Sequence, residues 1–353
     1  MRFKSQMRNV STFAKFCASL SSLGPIAWCR LTDEDMRFTV LPEKGSQVWS
    51  VLKIETVFET YSLQSAAPHN TINLEVPIQS LQRALRSASG ATSASIRLTK
   101  KNNVPMLSVT IVTTTFSNGD SVVGAGATGT DDEFGDFDFH ADTDDVGFGG
   151  GLGGLPRERE TIITQDVPVK VLAMQTVEGL HEPSTPEPDV HIYLPGLAQV
   201  KSISERFTRL ATATKTGTTT GAGPRLELSA NMHGSFKIAL QTDALSISSV
   251  WTGLVNPELE PTNYPGGSQE LRDHPSTRMR ILGGEHGENE EGWARVRIDA
   301  KDWNRVLSVG RLGVRVIACF MNETGLVLYV YHQGEEDNGE ETCLTYFINS
   351  FST

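Results

Sequence analysis

The chain has 353 residues, of which 38% are hydrophobic and 21% charged, so it can form two domains of ordinary size and is neither fibrous nor disordered throughout. Its formal charge of −11 argues against nucleic-acid binding only if the acids are spread evenly along the sequence. The four cysteines form no CxxC pair and no long apolar run or secretory h-region occurs, so we expect a soluble intracellular protein without a zinc site, a disulfide framework or a membrane span.

The acids are in fact concentrated in three segments. Residues 131–145 hold eight acids and no base, residues 255–291 hold eight acids and three bases, and residues 335–341 hold five acids. These segments contribute −8, −5 and −5 to the formal charge, so the rest of the chain carries +7. A polyanion can therefore approach the part of the chain that is predicted to be ordered.

Four passages each combine a short alternating strand with a segment of helical spacing: residues 2–20, 73–85, 191–203 and 295–307. Between them lie many runs rich in Val, Ile, Thr and aromatic residues, most of them separated by turn residues. Strands outnumber helices and are joined by short connections. The pattern predicts an α+β fold in two repeated parts, with antiparallel sheet and the helices on one face.

Each predicted helix has an apolar side and a solvated side that carries bases. In the first helix Val10, Phe13, Cys17 and Leu20 are expected to be buried, whereas Thr12 is expected to face solvent like Ser19. Single bases on helix surfaces are common, so only their recurrence on all four helices is informative. The bases in question are Lys15, Arg83, Arg86, Lys201, Arg206, Arg209, Lys301, Arg305 and Arg311.

The expected organisation is an N-terminal domain of residues 1–171, a connector of residues 172–189 with three prolines, and a C-terminal domain of residues 190–353. The first domain contains an insertion at about residues 118–158, whose Gly- and Asp-rich composition predicts disorder. The second contains a long insertion at about residues 255–292 that is expected to be mostly unstructured, although its segment MRIL can pack locally.

No motif for catalysis or metal binding is present. The sequence lacks GxxxxGK[ST], HExxH and GxSxG, and the alternating Asp136, Asp138 and Asp142 lack the Gly and Glu of a calcium loop. The eight histidines are scattered without the spacing of a metal pair. We therefore expect no catalytic residue, metal or cofactor, and a binding or scaffold role rather than an enzyme.

Several segments resemble one known family. They are INLEVPIQSLQRALRSA, ASIRLTKKNNVPMLSVTI, DVPVKVL, PDVHIYLP, LELSANMHGSFKIAL and LTYFINSF. Together with the duplicated pattern, they are similar to DNA sliding clamps of the proliferating-cell-nuclear-antigen type. More specifically, they resemble the Hus-type (Hus/Mec) subunits of the heterotrimeric checkpoint clamp, the nine-one-one complex.

The resemblance implies a DNA-clamp fold in which sheets form the outer wall of a ring and helices line its hole. The nine helix bases would then face double-stranded DNA without sequence preference. The implied partners are two other clamp-like subunits, an ATP-driven checkpoint clamp loader, and client repair and checkpoint proteins, all in the nucleus and without a membrane. The implied function is a non-enzymatic DNA damage checkpoint subunit that encircles DNA and recruits checkpoint kinase signalling and repair factors.

The resemblance also suggests where subunits and clients would bind. Ring closure would use edge strands at residues 162–171 and 244–251, with Ile163, Val167, Val169, Val171, Leu245, Ile247 and Val250. The first of these segments can also be an interior strand, although Pro168 disfavours that. In the connector, Leu172, Met174, Val177 and Leu180 would border a client groove or simply cover the protein's own core.

Two alternatives to the checkpoint role are open. The first is a homotrimeric replicative processivity clamp, which would have the same fold. The second is a metal-dependent DNA-processing hydrolase, for which the sequence offers no ligand cluster.

Overall fold

A computed structural model describes residues 1–41, 46–117, 157–213, 223–259, 267–312, 315–332 and 342–351. The acidic insertion predicted at about 118–158 lies outside these residues, except for its last two, whose backbone belongs to a strand.

The first sheet has five antiparallel strands built only from the first half of the chain. Their order across the sheet is β5 (Phe58–Gln64), β1 (Arg2–Met7), β7 (Ser93–Lys101), β8 (Val104–Ser117) and β9 (Arg157–Pro168). The strand β5 is absent from the sequence-based assignment, because its polar residues outnumber the apolar ones. In the structure its Phe58 and Leu63 point into the core.

The second sheet has nine antiparallel strands and joins the two halves of the chain. Its order is β10 (Lys170–Val171), β6 (Ile72–Pro77), β2 (Ile26–Leu31), β3 (Asp35–Val40), β4 (Gln47–Lys53), β18 (Thr342–Asn349), β17 (Gly325–His332), β16 (Arg315–Met321) and β11 (Val190–Tyr193). The join is the antiparallel pairing of β4 with β18, in which Trp49 lies opposite Thr345.

The third sheet has four antiparallel strands from the second half. Its order is β14 (Leu245–Trp251), β13 (Phe236–Thr242), β12 (Arg225–Asn231) and β15 (Trp293–Asp299). The second half thus contributes a whole sheet and part of the shared one, as the first half does. This confirms the predicted α+β class with antiparallel sheet.

Four helices follow the strands β1, β6, β11 and β15, as the four repeated passages predicted. They are α1 (Val10–Ser21), α3 (Ile78–Ser87), α5 (Leu197–Ala213) and α8 (Ala300–Val306), and a 3-10 turn at Leu307–Leu312 continues α8. Local caps set the starts of two of them. Asn9 accepts the Thr12 amide at 2.9 Å, and Asp299 accepts the Lys301 amide at 2.8 Å.

The remaining helices are short. They are α2 (Ile54–Val57), α4 (Met174–Val177) in the connector, and α6 (Gly267–Asp273) and α7 (Pro275–Leu282). The expectation of a mostly unstructured segment at 255–292 is therefore wrong for its described part. Within the segment MRIL, Met279 of α7 is buried, whereas Ile281 and Leu282 are exposed.

The sides that α1 and α5 bury differ from those that their apolar spacing predicts. Thr12 and Ser19 were expected to face solvent, but both are buried because α1 packs against α3 on one side and against the 3-10 turn on another. Conversely, Leu210 continues the apolar spacing of α5, which predicts burial, but it is 40% exposed. Helix-to-helix contact, which single-helix periodicity does not represent, explains the first difference.

A glycine sets how closely the 3-10 turn approaches α5. A Cβ atom built on Gly310 would lie 2.8 Å from the Cβ of Leu197, closer than two carbon atoms can pack. The contact brings the two helical segments of the second half together.

We expect Gly310→Ala to lower the free energy of unfolding by about 1–3 kcal/mol, because the added methyl forces α5 and the turn apart. Urea titration followed by circular dichroism measures the effect. Gly90→Ala is the matched control, since a Cβ there meets nothing within 4 Å. Equal midpoints for the two variants would contradict the close contact.

Candidate nucleic-acid interface and assembly surfaces

The four main helices and the 3-10 turn form one continuous layer, here called the helix layer. The Ser22 hydroxyl, just after α1, donates to the Arg305 carbonyl of α8 at 3.2 Å. The Lys201 ammonium of α5 donates to the Ser308 hydroxyl of the turn at 3.4 Å. With α3 packed on α1, these contacts place helices from both halves of the chain side by side.

A buried hydrogen bond holds α5 to α8 within this layer. The indole N–H of Trp303 donates to the Ser204 hydroxyl at 3.1 Å, and that hydroxyl donates in turn to the Val200 carbonyl at 2.8 Å. Trp303 and Ser204 are both fully buried. The bond therefore fixes the rotation of two helices that carry bases on their outer sides.

The helix layer is strongly basic although the chain is acidic. Its helices and turn contain nine Lys or Arg residues and two acids, Glu205 and Asp302. Neither α1 nor α3 contains an acid. A local excess of this size produces a positive surface potential regardless of the charge of the whole chain.

Seven of the nine predicted bases are exposed on the helix layer. They are Lys15, Arg83, Arg86, Arg206, Arg209, Lys301 and Arg305. Lys201 is partly buried, with its ammonium 3.9 Å from the Glu205 carboxylate. Arg311 belongs to the 3-10 turn by its backbone, and its side chain lies outside the described part of the structure.

The two acids lie beside bases and reduce the local charge only in part. The Arg305 guanidinium is 3.3 Å from the Asp302 carboxylate. The pKa of Asp302 is raised, first by burial and then by the neighbouring Asp299. Each pair has one exposed and one partly buried member, and such pairs at the surface are worth little in stability, so their bases can exchange an acid for a phosphate.

Both strands predicted for ring closure lie at sheet edges. The strand β9 is the last of the five-stranded sheet and β14 is the last of the four-stranded sheet. Residues 162–171 are not one strand, however, because β9 ends at Pro168 and Lys170–Val171 pairs with β6 in the nine-stranded sheet. The proline removes one backbone donor where the chain changes sheets.

The predicted edge side chains fall into three groups. Ile163 and Val250 are exposed at 43% and 51%, and Val171 is exposed on β10. Leu245 and Ile247 are partly buried against the core. Val167 and Val169 are buried at 3% and 4%, so their side chains stabilise the protein's own core and only the backbone there can meet a partner.

The connector covers a cavity of about 280 Å³ on the outer face of the nine-stranded sheet. Leu172, Val177 and Leu180 line it. Met174 does not, because its sulfur accepts from the Asn73 amide at 3.5 Å and so turns onto the sheet.

Sequence reasoning missed the opposite wall of this cavity. Trp28 of β2, Trp49 and Val51 of β4, and Cys343 of β18 line it together with Arg30 and Arg37. The signal was the presence of large apolar residues at the outward positions of otherwise alternating strands. Such positions are usually polar when one face of an antiparallel sheet meets solvent.

No group of three His, Cys, Asp or Glu side chains in the described part of the chain could hold a metal ion. The structure does bring together two buried histidines that are distant in sequence, His191 and His274, with ring centroids 6.4 Å apart. The Nε2–H of His191 donates to the Pro257 carbonyl, 2.9 Å away, and burial lowers the pKa of His191. This contact attaches the insertion to β11.

Among the described helices, none has the length and apolar character to cross a membrane.

The sequence of residues 1–352 matches the family model described as Hus1-like protein. The chain belongs to the Hus1-like family. A Hus1-like relative, checkpoint protein hus1 of Schizosaccharomyces pombe, is 33% identical over 352 residues, which cover 99% of each chain. Checkpoint protein HUS1 of Homo sapiens is 23% identical over 266 residues, covering 73% of this chain and 76% of the human protein.

Solved structures with this fold include sliding clamps. Proliferating cellular nuclear antigen from Entamoeba histolytica superposes with a TM-score of 0.58 at 9% identity, over 99% of both chains. The PCNA of Thermococcus kodakaraensis superposes with a TM-score of 0.57 at 13% identity, over 99% of this chain and all of the other. The Hus1-like chain therefore has the clamp fold expected from its sequence.

We expect Ser204→Ala to lower the free energy of unfolding by about 1–3 kcal/mol, because it leaves the buried indole N–H of Trp303 without its acceptor. Denaturant unfolding measures the loss. Ser202→Ala, on the exposed side of the same helix, should change the midpoint by much less. A Ser204 variant as stable as the Ser202 variant would show that the Trp303 bond contributes nothing.

Proposed function

We propose that this protein is a non-enzymatic subunit of a heterotrimeric DNA damage checkpoint clamp that encircles double-stranded DNA. The observation that carries the proposal is the helix layer, whose helices present seven exposed bases and contain only two acids. Membership of the Hus1-like family and relatives that are checkpoint proteins support the checkpoint role.

In this proposal the exposed bases of the helix layer contact phosphates. Phosphate contacts are independent of base sequence and weaken with salt as counterions compete. Because the side chains are long, exposed and spread over four helices, they can pass from one phosphate to the next as the ring moves. In the sequence, the acids at 131–145, 255–291 and 335–341 fall between strands and outside the four main helices.

The two sheet edges are proposed to close the ring with two different clamp-like subunits. Unpaired N–H and C=O groups along β9 and β14 can continue a sheet into a neighbouring chain. Exposed Ile163 and Val250 would add apolar contact at these joints. With a domain division at 1–171 and 190–353, β9 would belong to the N-terminal domain and β14 to the C-terminal domain.

The cavity beneath the connector is proposed as a docking site for client repair and checkpoint proteins. Its wall combines two tryptophans with the apolar connector residues Leu172, Val177 and Leu180. Aromatic residues in a concave apolar site are typical of the positions that contribute most to binding. We also propose that an ATP-driven clamp loader loads the complex onto DNA. The loaded complex would then recruit checkpoint kinase signalling in the nucleus.

The assembly state tests the checkpoint assignment. We expect the purified chain to have the mass of a monomer, and to form a one-to-one-to-one complex when it is co-expressed with the two other checkpoint clamp subunits of its source. Native mass spectrometry measures both. A homotrimer of this chain alone would favour a replicative processivity clamp, because identical subunits would then close the ring.

Charge reversal tests the DNA contact. A fourfold charge-reversal variant, tested in the assembled complex, should no longer be retained on circular duplex DNA, and its affinity for DNA should depend less on salt. Its substitutions are Arg83→Glu, Arg86→Glu, Arg206→Glu and Arg209→Glu. The control is Arg278→Glu with Arg280→Glu, two exposed bases of α7 outside the helix layer. Unchanged retention in the fourfold variant would refute a DNA-facing helix layer.

A further inference from the structure

The outer face of the five-stranded sheet carries a second group of bases. Arg2 and Lys4 on β1 and Arg97 on β7 are exposed. Their neighbours Phe3 and Ser5 are buried, so the three bases point away from the core and from the helix layer. We call Arg2, Lys4 and Arg97 the basic face.

The bases of this face lie close enough together to repel one another, which destabilises the sheet. Lys4 lies directly opposite Arg97 in the antiparallel pairing of β1 with β7. Directly opposite residues have Cβ atoms about 4.5–5.5 Å apart, and like charges at such positions destabilise a sheet. Arg2 lies on the same side of the strand, about 7 Å along it.

Acids do not balance this charge within the described structure. The acid in the same row across the sheet is Asp166, whose carboxylate binds the Lys101 ammonium. That bond is the main reason why the pKa of Asp166 is lowered. Asp166 is thus paired with a fourth base, and Arg97 makes only a smaller electrostatic contribution to its lowered pKa. No salt bridge joins Arg2, Lys4 or Arg97 to an acid among the described residues.

The surroundings of the basic face favour a peptide over a nucleic acid. Surfaces for single-stranded nucleic acid combine bases with aromatic rings on which nucleobases stack. Beside the three bases this face offers hydroxyl and amide side chains instead, at Ser62, Gln64, Ser95 and Thr99. Duplex binding requires bases spaced along many phosphates, whereas these three are confined to two neighbouring strands.

An edge strand lies directly beside the bases. The strand β5 pairs with β1 and is the terminal strand of its sheet in the described structure. An extended peptide can add to such an edge through backbone hydrogen bonds, and its alternate side chains then point over one face of the sheet. On this face they would lie within reach of the long side chains of Arg2 and Lys4.

We propose that the edge of β5 and the basic face bind an extended acidic segment of a partner protein, with alternate carboxylates facing Arg2, Lys4 and Arg97. Carboxylate-to-guanidinium pairing supplies the charge complementarity that the sheet itself lacks. The surface is separate from the helix layer, so a bound partner and encircled DNA do not compete.

The test uses the full-length chain and a fluorescein-labelled eight-residue peptide of alternating Glu and Thr, with binding followed by fluorescence anisotropy. Lys4→Glu with Arg97→Glu should weaken binding on the order of tenfold or more, because two attractive pairs become repulsive. Arg83→Glu with Arg86→Glu, which removes the same charges from the helix layer, should leave peptide binding unchanged.

A neutral variant separates binding from folding. Lys4→Thr with Arg97→Thr should also weaken peptide binding, yet raise the midpoint of thermal unfolding, because it removes the repulsion between opposed bases. Weaker binding in a more stable protein cannot result from misfolding and would support the proposal. Unchanged peptide binding in this variant and in the charge-reversed one would overturn it.

Other occupants give different results. Equal binding of a Lys–Thr peptide would overturn the charge basis of the proposal. Loss of duplex or single-stranded DNA binding on Lys4→Glu with Arg97→Glu would assign the face to nucleic acid instead. If amidation of all eight acids at 131–145 by Asn and Gln substitution strengthened peptide binding tenfold, the chain's own acidic segment would be the occupant. The outcomes with peptides do not depend on whether the helix layer binds DNA.

Discussion

The pairing of β4 with β18 is the interaction on which the arrangement of this molecule depends. It joins strands from opposite ends of the chain and turns two smaller sheets into one of nine strands. Across this join, α1 of the first half contacts the 3-10 turn that follows α8 in the second half. The contact from Ser22 to Arg305 crosses between the two halves and is made possible by this join.

Charge in this protein is separated by structural element rather than by domain. Helices whose apolar sides are buried on the sheets present bases on the other side, and the densest acidic segments fall between strands. Chain-wide quantities such as net charge do not reveal this separation. The hydrogen bond from Trp303 to Ser204 shows how it is maintained, since a buried contact sets the rotation of α5 and α8 and so the direction in which their bases point.

Much of the fold followed from periodicity, because an alternating strand followed by helical spacing is a strong local signal. The helix bases could be assigned for the same reason, since burial of Leu81 and Leu85 leaves Arg83 and Arg86 exposed. Contacts between elements were not predictable in this way. Burial of Thr12 and Ser19, the sheet change at Pro168 and the cavity wall of Trp28 and Trp49 all depend on which elements become neighbours. The helices α6 and α7 were missed because their apolar residues are few.

The join between β4 and β18 also has a consequence for synthesis of the chain. Trp49 and its partner Thr345 are separated by about 300 residues. At translation rates of 5–20 residues per second, β4 waits roughly 15–60 s for its partner strand to leave the ribosome. During that interval the first half carries an unfinished sheet edge with a row of unpaired backbone groups, a surface that chaperones bind and that aggregates readily. The strand β18 therefore completes the sheet of the first half as well as that of the second.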